Sequence, residues 1–182
     1  MKPTEVLVEE HRVIERVLTA LETAAGRLAA GDTVPPEFFL RAADFIRGFA
    51  DGCHHHKEED VLFPALTAAG IPNEGGPVGV MLFEHEEGRR FTAAMRAGAE
   101  RLKAGDAGAR DEVVRNARGY VELLRDHIAK ENNVLFPMAD QVIRGGAAAK
   151  MTESFEEIER EEQGDHDRYL ALAADLEQEA SR

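Results

Sequence analysis

Two segments of the chain carry a histidine and a glutamate four residues apart, and these are His54 with Glu58 and His127 with Glu131. Residues four apart lie on the same face of a helix, about 5 to 6 Å from each other. Each pair can therefore offer an imidazole nitrogen and a carboxylate oxygen to one point, as a metal-ligand pair does. For any single pair, the alternative is a core histidine that is hydrogen-bonded to its glutamate.

The two segments belong to an internal repeat. Residues 54–64, HHHKEEDVLFP, and residues 127–137, HIAKENNVLFP, share seven identities in eleven positions at an offset of 73 residues. A Glu-His dipeptide likewise occurs twice, ending at His11 and at His85, at an offset of 74 residues. A unit of two helices cannot bury its apolar face alone, so we expect two such units to stack. Stacking would bring six polar residues together, namely His11, His54, Glu58, His85, His127 and Glu131.

This predicted cluster needs a cation. Two carboxylates that face each other in an apolar bundle each carry a desolvation penalty of several kcal/mol, and no Lys or Arg occupies the seam positions next to both. Four imidazoles with two carboxylates are too many for one tetrahedral zinc ion, whereas two six-coordinate ions that share carboxylates would use them all. The sequence therefore predicts two metal ions, with Glu58 and Glu131 as bridges and the four histidines as terminal ligands.

Helices must position these residues. Breaks rich in glycine and proline fall near residues 31–36, 70–77, 105–108 and 145–146, and they leave five segments rich in Ala, Leu, Glu and Arg. Each segment has an apolar stripe with helical spacing. Because short connections join antiparallel neighbours, we predict an all-α fold: an up-down-up-down four-helix bundle with an additional C-terminal fifth helix. The prediction is one domain over residues 1–182, with a bundle core at 4–143 and the extra helix at 147–180.

Composition limits the possible partners and location. The net charge of -13 and the pI near 5.0 would repel a phosphate backbone, so nucleic acid is not an expected partner. No apolar run is long enough for a membrane span, which excludes a membrane partner. The single cysteine, Cys53, cannot form an intramolecular disulfide, and the N-terminus lacks a signal-peptide run. We therefore expect a cytoplasmic protein.

The motifs together resemble the hemerythrin-like, or HHE cation-binding, family over about residues 4–143. The resemblance implies a non-haem di-iron centre, bridged by an oxo or hydroxo group and two carboxylates, that meets O2, peroxide or NO at an open iron position. Zinc or manganese could replace iron in a purified sample. The motifs that carry the resemblance are Glu10-His11, His54-x-x-x-Glu58 followed by V-L-F-P, Glu84-His85, and His127-x-x-x-Glu131 followed by V-L-F-P. It implies that the four histidines are terminal ligands and the two glutamates bridges.

Two positions depart from the oxygen-carrying members of that family. Those proteins have a second histidine one turn after the first on the third helix, where this chain has Arg89, and an aspartate with longer spacing where it has Glu131. Simple O2 transport is therefore not the expected function. The missing ligand leaves either an additional open position or a replacement from elsewhere in the chain. The candidates for a replacement are His55, Glu162 and His166, the last as a ligand or as a hydrogen-bond partner of one.

Other polar residues near the motifs have simpler interpretations. His56 and Glu59 lie on the flanks of the second helix, and we expect them to be solvated. We expect Cys53 to be a small buried hydrophobe. Tyr120 and Tyr169 lie on core faces, and either could reach the site, although most buried tyrosines are only packed and hydrogen-bonded.

Three hypotheses for function follow. The first is a di-iron protein that binds or reacts with O2, peroxide or NO, with turnover of peroxide or NO as one form of that reactivity. The second is an iron-, oxygen- or redox-sensing module whose fold responds to metal loading and is read by a protein partner. The third, a helical scaffold with incidental metal binding, is disfavoured by the cost of uncompensated buried carboxylates.

Overall fold

The structure is a computed structural model that describes residues 2–161 and 163–182. These residues form helices and no strand, which confirms the predicted all-α bundle. Two of the α-helices are 27 residues long, and short π-helical segments interrupt two of the others. The elements in chain order are α1 (Pro3–Ala29), α2 (Pro36–Phe45), π1 (Ile46–His55), π2 (Glu58–Leu62), α3 (Phe63–Ala68), α4 (Pro77–Lys103), a 3-10 turn (Ala107–Ala109), α5 (Arg110–Lys130), π3 (Glu131–Leu135), α6 (Phe136–Val142), α7 (Gly146–Glu161) and α8 (Gln163–Ala180).

The bundle consists of the two repeated units. We call α1 to α3 the first unit and α4 to α6 the second unit. Helix α1 packs against α5, α5 against α4, and α4 against α2. The predicted fifth helix corresponds to α7 and α8, of which α8 packs on α1 and α2 while α7 contacts α1 and π2. The C-terminal segment therefore covers the first unit. No helix among the described residues is both long and apolar enough to cross a membrane.

The same turn ends the first helix of each unit. Gly31 follows α1 with a φ of 92°, and Gly105 follows α4 with a φ of 95°. This left-handed conformation favours glycine, because a side chain would be strained there. The amide of Asp32 donates to the carbonyl of Arg27 at 3.0 Å, and the corresponding residues of the second unit make the same bond. The repeat thus extends from the motifs to the helix ends.

The second helix of each unit changes its winding at the repeated glutamate. Segments π2 and π3 begin at Glu58 and Glu131, and α-helix resumes before Pro64 and Pro137. Each proline falls in the first turn of its α-helix, where its missing N–H costs little. Segment π1 has no counterpart, because the matching residues 119–128 lie in α5. Short π turns in an α-helix occur often at functional sites.

Two apolar clusters fill the bundle, and a polar layer separates them. One cluster includes Ile14, Leu18 and Ile128, and the other includes Leu7, Phe63 and Phe136. The V-L-F-P segments contribute Leu62, Phe63, Leu135 and Phe136 to the second cluster. Burial in these two clusters holds the helices together, and it fixes the height of the polar layer between them.

Candidate metal centre

The six predicted ligands lie together in the polar layer. Each is at most 1% exposed. Within the described residues they form two groups whose ligand atoms all lie within 4.8 Å of one another, and Glu58 belongs to both. The groups are His11, His54, Glu58 and Glu131, and His55, Glu58, His85 and His127. The first group has the histidines of the first unit, and the second group has those of the second unit plus His55.

Each glutamate faces both units. Glu58 has Oε1 at 3.6 Å from Nε2 of His54 and Oε2 at 3.4 Å from Nε2 of His85. Glu131 has Oε2 at 3.1 Å from Nε2 of His11 and Oε1 at 3.2 Å from Nε2 of His127. Two oxygens of one carboxylate thus point to histidines of different units, which is the arrangement that a bridging ligand requires.

Two histidines are oriented by a carboxylate and a lysine at equivalent places in the two units. Nδ1 of His54 lies 2.9 Å from Oε2 of Glu10, and Lys57 donates to the other oxygen of that carboxylate. In the second unit His127 is held in the same way by Glu84, at 2.9 Å, with Lys130 on the other oxygen. A proton on Nδ1 leaves the lone pair of Nε2 free for a metal. The repeat signals Glu10 and Glu84, but their hydrogen bonds could not be read from it.

The other two histidines are held by a second matched pair of positions. Nδ1 of His11 lies 2.8 Å from Oδ1 of Asn132, and Nδ1 of His85 lies 2.6 Å from Oε1 of Glu59. Asn132 and Glu59 occupy the same place in the repeat. Glu59 belongs to neither ligand group of the described residues, as expected, but its side chain is only 27% exposed, because His85 and Arg89 both hold its carboxylate. His56 is 40% exposed and pairs with Asp60 at 3.1 Å, in agreement with its predicted place on the flank.

The charges around the layer favour a cation. Burial alone would lower the pKa of His127, but the Glu131 carboxylate, with help from Glu84 and Glu58, raises it to about 10. Burial would raise the pKa of Glu131, yet His127 and His11 hold it well below its usual value. The buried atoms without a hydrogen-bond partner include Nε2 of His11 and His54 and all four carboxylate oxygens of Glu58 and Glu131. These nitrogen and oxygen atoms face one another at 3.1 to 3.6 Å without the geometry of a hydrogen bond, an arrangement that suits two metal ions between them.

His55 lies in the second ligand group, and Asp51 links it to Arg89. The guanidinium of Arg89 lies on the carboxylates of Asp51 and Glu59, each at 2.8 Å. Asp51 Oδ1 lies 3.3 Å from Nδ1 of His55, whose ring stacks on His85 at 3.8 Å between centroids. Burial and the neighbouring His85 lower the pKa of His55 well below its usual value, so the ring is neutral and can donate a lone pair.

The remaining candidates for a replacement ligand are His166 and Glu162, from the predicted fifth helix. The ring of His166 lies 5.5 Å from that of Phe49, and His166 belongs to neither ligand group of the described residues. Glu162 lies outside the described residues. Cys53 is buried, as expected, with its sulfur 4.0 Å from Oε1 of Glu10. Of the predicted replacements, the structure brings only His55 to the layer within the described part of the chain.

A cavity of about 300 Å³ adjoins the second ligand group, and we call it the His55 cavity. Tyr120 lines it with a side chain that is 2% exposed, and the hydroxyl has no hydrogen-bond partner. Burial, together with the Asp51 carboxylate, raises the pKa of Tyr120, so the hydroxyl is a neutral donor. A buried hydroxyl without a partner costs about 1 to 3 kcal/mol. The lining residues used below are Asp51, His55, His85, Gly88, Thr92, Tyr120 and Leu124.

Most of the chain is similar to known proteins. Residues 2–139 match the family model described as the hemerythrin HHE cation binding domain. An uncharacterized protein of Mycobacterium tuberculosis is 30% identical over 161 residues, which is 88% of this chain. The chain spans 62% of the length of that relative. The iron-sulfur cluster repair protein DnrN of Neisseria gonorrhoeae is 30% identical, over 72% of this chain and 85% of DnrN. No solved structure matches.

Proposed function

We propose that this chain, which belongs to the hemerythrin HHE cation-binding family, is a non-haem di-iron protein that binds or reacts with O2, peroxide or NO. The observation that supports this most directly is that Glu58 and Glu131 each face one histidine from either unit, as ligands shared by two ions would. Bound iron would supply coordination positions and electrons for these small molecules. Nitrogen-rich ligand sets with carboxylates suit iron, whereas structural zinc sites use thiolates.

In this proposal each unit holds one ion with its own histidines. His11 and His54 would hold the first ion, and His85 and His127 would hold the second. His55 completes the second set, where oxygen carriers of the family use the position of Arg89. The two glutamates would bridge. A seventh protein ligand would leave fewer open positions than the six ligands that the repeat alone predicts.

The surrounding residues orient the ligands and keep water out. Glu10 and Glu84 hold the proton of their histidines at Nδ1, which directs Nε2 to the centre. Phe136 stacks on the ring of His11 at 5.4 Å, and the matching Phe63 stacks on His85 at 5.9 Å. These rings close one side of the layer, and the low dielectric that results strengthens the interaction of the carboxylates with a cation.

An anaerobic iron titration followed by absorption spectroscopy tests the proposal. We expect two iron ions per chain and a spectrum that changes on exposure to O2, peroxide or NO. Glu131→Gln keeps the shape but removes a bridging charge, and it should lower the iron content below two per chain. Glu157→Gln, at an exposed position of α7, is the matched control and should bind two. A protein that takes up one zinc ion per chain and has no spectral response would overturn the proposal.

A second candidate function, a metal-loading sensor, is favoured by a link to the C-terminal segment. Lys57 is fully buried and contacts both Glu10, which holds His54, and Glu159 on α7, at 2.8 Å. A change at His54 can therefore reach α7 through two side chains. Hydrogen exchange of metal-free and metal-loaded protein distinguishes this function, because sensing requires that α7 gains protection on loading. Equal protection of α7 in both states would exclude it.

Repair of iron-sulfur clusters is the activity named for the Neisseria relative, and we propose it as a form that the di-iron function could take here. That match covers 72% of this chain. The test is recovery of activity of an enzyme whose iron-sulfur cluster was damaged by NO or peroxide. Wild-type protein loaded with iron should restore it, and Glu131→Gln should not. No recovery with wild type would remove repair while leaving the binding of O2, peroxide or NO open to the titration above.

A further inference from the structure

The repeat pairs each residue of the second unit with an equivalent residue of the first. The His55 cavity lies beside His85 of the second unit. On the first helix of the second unit it is lined by Gly88 and Thr92. The equivalent positions of the first unit, at the 74-residue offset, hold Ile14 and Leu18, which are buried in the apolar core. Two small residues thus replace two large aliphatic ones next to the ligands. The cavity thus lies beside His85 at the height where Ile14 and Leu18 fill the core beside His11.

The second helices differ at the same level. Asp51 and His55 line the cavity, whereas their equivalents at the 73-residue offset are Leu124 and Ile128. Of the latter two, only Leu124 also lines the cavity. The lining therefore combines apolar residues such as Leu124 with charged ones, of which Glu84, Arg89 and Arg96 are paired with other side chains.

The hydroxyl of Tyr120 is a buried polar group of the cavity lining that has no hydrogen-bond partner. The other hydroxyl in the lining, that of Thr92, donates to the carbonyl of Gly88 at 2.9 Å. Gly88 leaves space for the tyrosine ring, since a Cβ at this position would lie 3.4 Å from Cε2 of Tyr120. Buried hydroxyls normally have a partner, so this donor in the cavity wall is free to hydrogen-bond a molecule that enters the cavity.

The size of the cavity limits the ligand. About 300 Å³ is roughly ten times the volume of one water molecule in the liquid. O2, NO and hydrogen peroxide need far less, and small-molecule sites start near this volume. Apolar residues in the lining, together with the unpaired hydroxyl of Tyr120, suit a short alkyl group with an oxygen at one end.

We propose that the His55 cavity binds a small organic molecule with an oxygen head group, the class of short alcohols and alkyl hydroperoxides, and that Tyr120 donates a hydrogen bond to the head. The functional significance of this site rests on the proposed di-iron function, because the head group would lie beside His55 and His85 of that centre. Binding itself depends on the cavity and not on iron chemistry. Tyr120 is a positioning residue for this ligand.

The test uses zinc-loaded protein, which cannot react, and tert-butanol as the probe. Ligand-observed NMR should show saturable binding to the wild type. Tyr120→Phe keeps the ring and removes the donor, so we expect about 2- to 12-fold weaker binding. Tyr169→Phe leaves Tyr120 as the sole tyrosine in a chain without tryptophan, and its fluorescence should change with the same saturation curve.

The second part of the test fills the cavity by introducing the residues that the first unit has at the equivalent positions. Gly88→Ile should abolish tert-butanol binding, and Thr92→Leu provides the same test if the first variant does not fold. Gly26→Ala is the matched control, because a Cβ there meets nothing within 4 Å. It should bind as the wild type does. Unsaturable binding, or equal binding by the filled variants, overturns the site, and equal binding by Tyr120→Phe overturns the role of the hydroxyl.

Iron-loaded protein separates this inference from the proposed function and alcohols from hydroperoxides. We expect tert-butyl hydroperoxide to change the iron spectrum more slowly in Gly88→Ile than in the wild type, with the response to hydrogen peroxide retained. Probe binding by the zinc form without any response of the iron form would refute the di-iron reactivity and leave the cavity site standing. A peroxide response without tert-butanol binding would refute the cavity site alone.

Discussion

The two units carry the same ligand motif in different surroundings. In the first unit, Ile14 and Leu18 pack tightly above the ligand layer, whereas Gly88 and Thr92 leave a cavity at the equivalent height of the second unit. Glu58 and Glu131, the predicted bridges, nevertheless each face one histidine from either unit. The duplication thus supplies a symmetric set of candidate ligands, while a few residues around them decide from which unit a molecule can approach.

The lysines that contact Glu10 and Glu84 also differ between the two units, and here the residue of the first unit is the more buried one. Lys57 is fully buried under α7, whereas the side chain of Lys130 is 45% exposed. Both contact a glutamate that holds a ligand histidine. The C-terminal segment thus converts a surface ion pair of one unit into a buried network and leaves the matching pair of the other unit at the surface.

The strongest test of the symmetry is removal of either bridging glutamate. Because each carboxylate faces both units, Glu58→Ala and Glu131→Ala should each lower the metal content of both groups, to less than one ion per chain. Elemental analysis of the purified variants measures this. Loss of a single ion from one variant and of none from the other would show that the bridges are not shared.

The lysines should differ in their effect on stability. Lys57→Met leaves the buried Glu10 without its cation and should lower the free energy of unfolding by about 3 to 5 kcal/mol. Lys130→Met, at the equivalent exposed position, should cost about 1 kcal/mol or less. Urea unfolding of the two variants gives the comparison. Equal losses would mean that burial under α7 has no energetic consequence.

His55 should be the ligand without an equivalent. We expect His55→Ile, which introduces the residue of the matching position 128, to weaken binding of one metal ion by about tenfold or more. His56→Ile, at the exposed neighbour, should leave both affinities unchanged. Calorimetric titration with a divalent metal resolves the two steps. Two unaltered binding steps in His55→Ile would mean that six ligands suffice.

The smallest expected effect concerns the two tyrosines. Tyr120→Phe removes a buried hydroxyl without a partner, so the free energy of unfolding should stay the same or rise by about 1 kcal/mol. Tyr169, whose hydroxyl accepts from Arg168 at 2.8 Å, provides the control, and Tyr169→Phe should lower stability slightly. Urea unfolding compares them. A clear loss of stability in Tyr120→Phe would indicate that its hydroxyl has a structural role.

Features that depend on spacing along one helix could be predicted. The 3.6-residue period identified the helices, and the pairs His54 with Glu58 and His127 with Glu131 followed from residues four apart sharing a face. Features that depend on contacts between helices could not. Glu59 was expected to be solvated, yet its carboxylate contacts His85 and Arg89. Both of these side chains come from another helix, α4, so spacing along the helix of Glu59 could not reveal them.

The fold class, the repeat and the six residues of the polar layer could be read from the sequence alone, because each is a periodic or duplicated pattern that local geometry converts into a shared face. The place of His55 in the layer, its contact with Asp51, which Arg89 holds, and the cavity beside it depend on how the helices pack. These features arise where the π-helical turn before Glu58 and the small residues of α4 meet. How two helices pack against each other cannot be read from the spacing of residues within either helix.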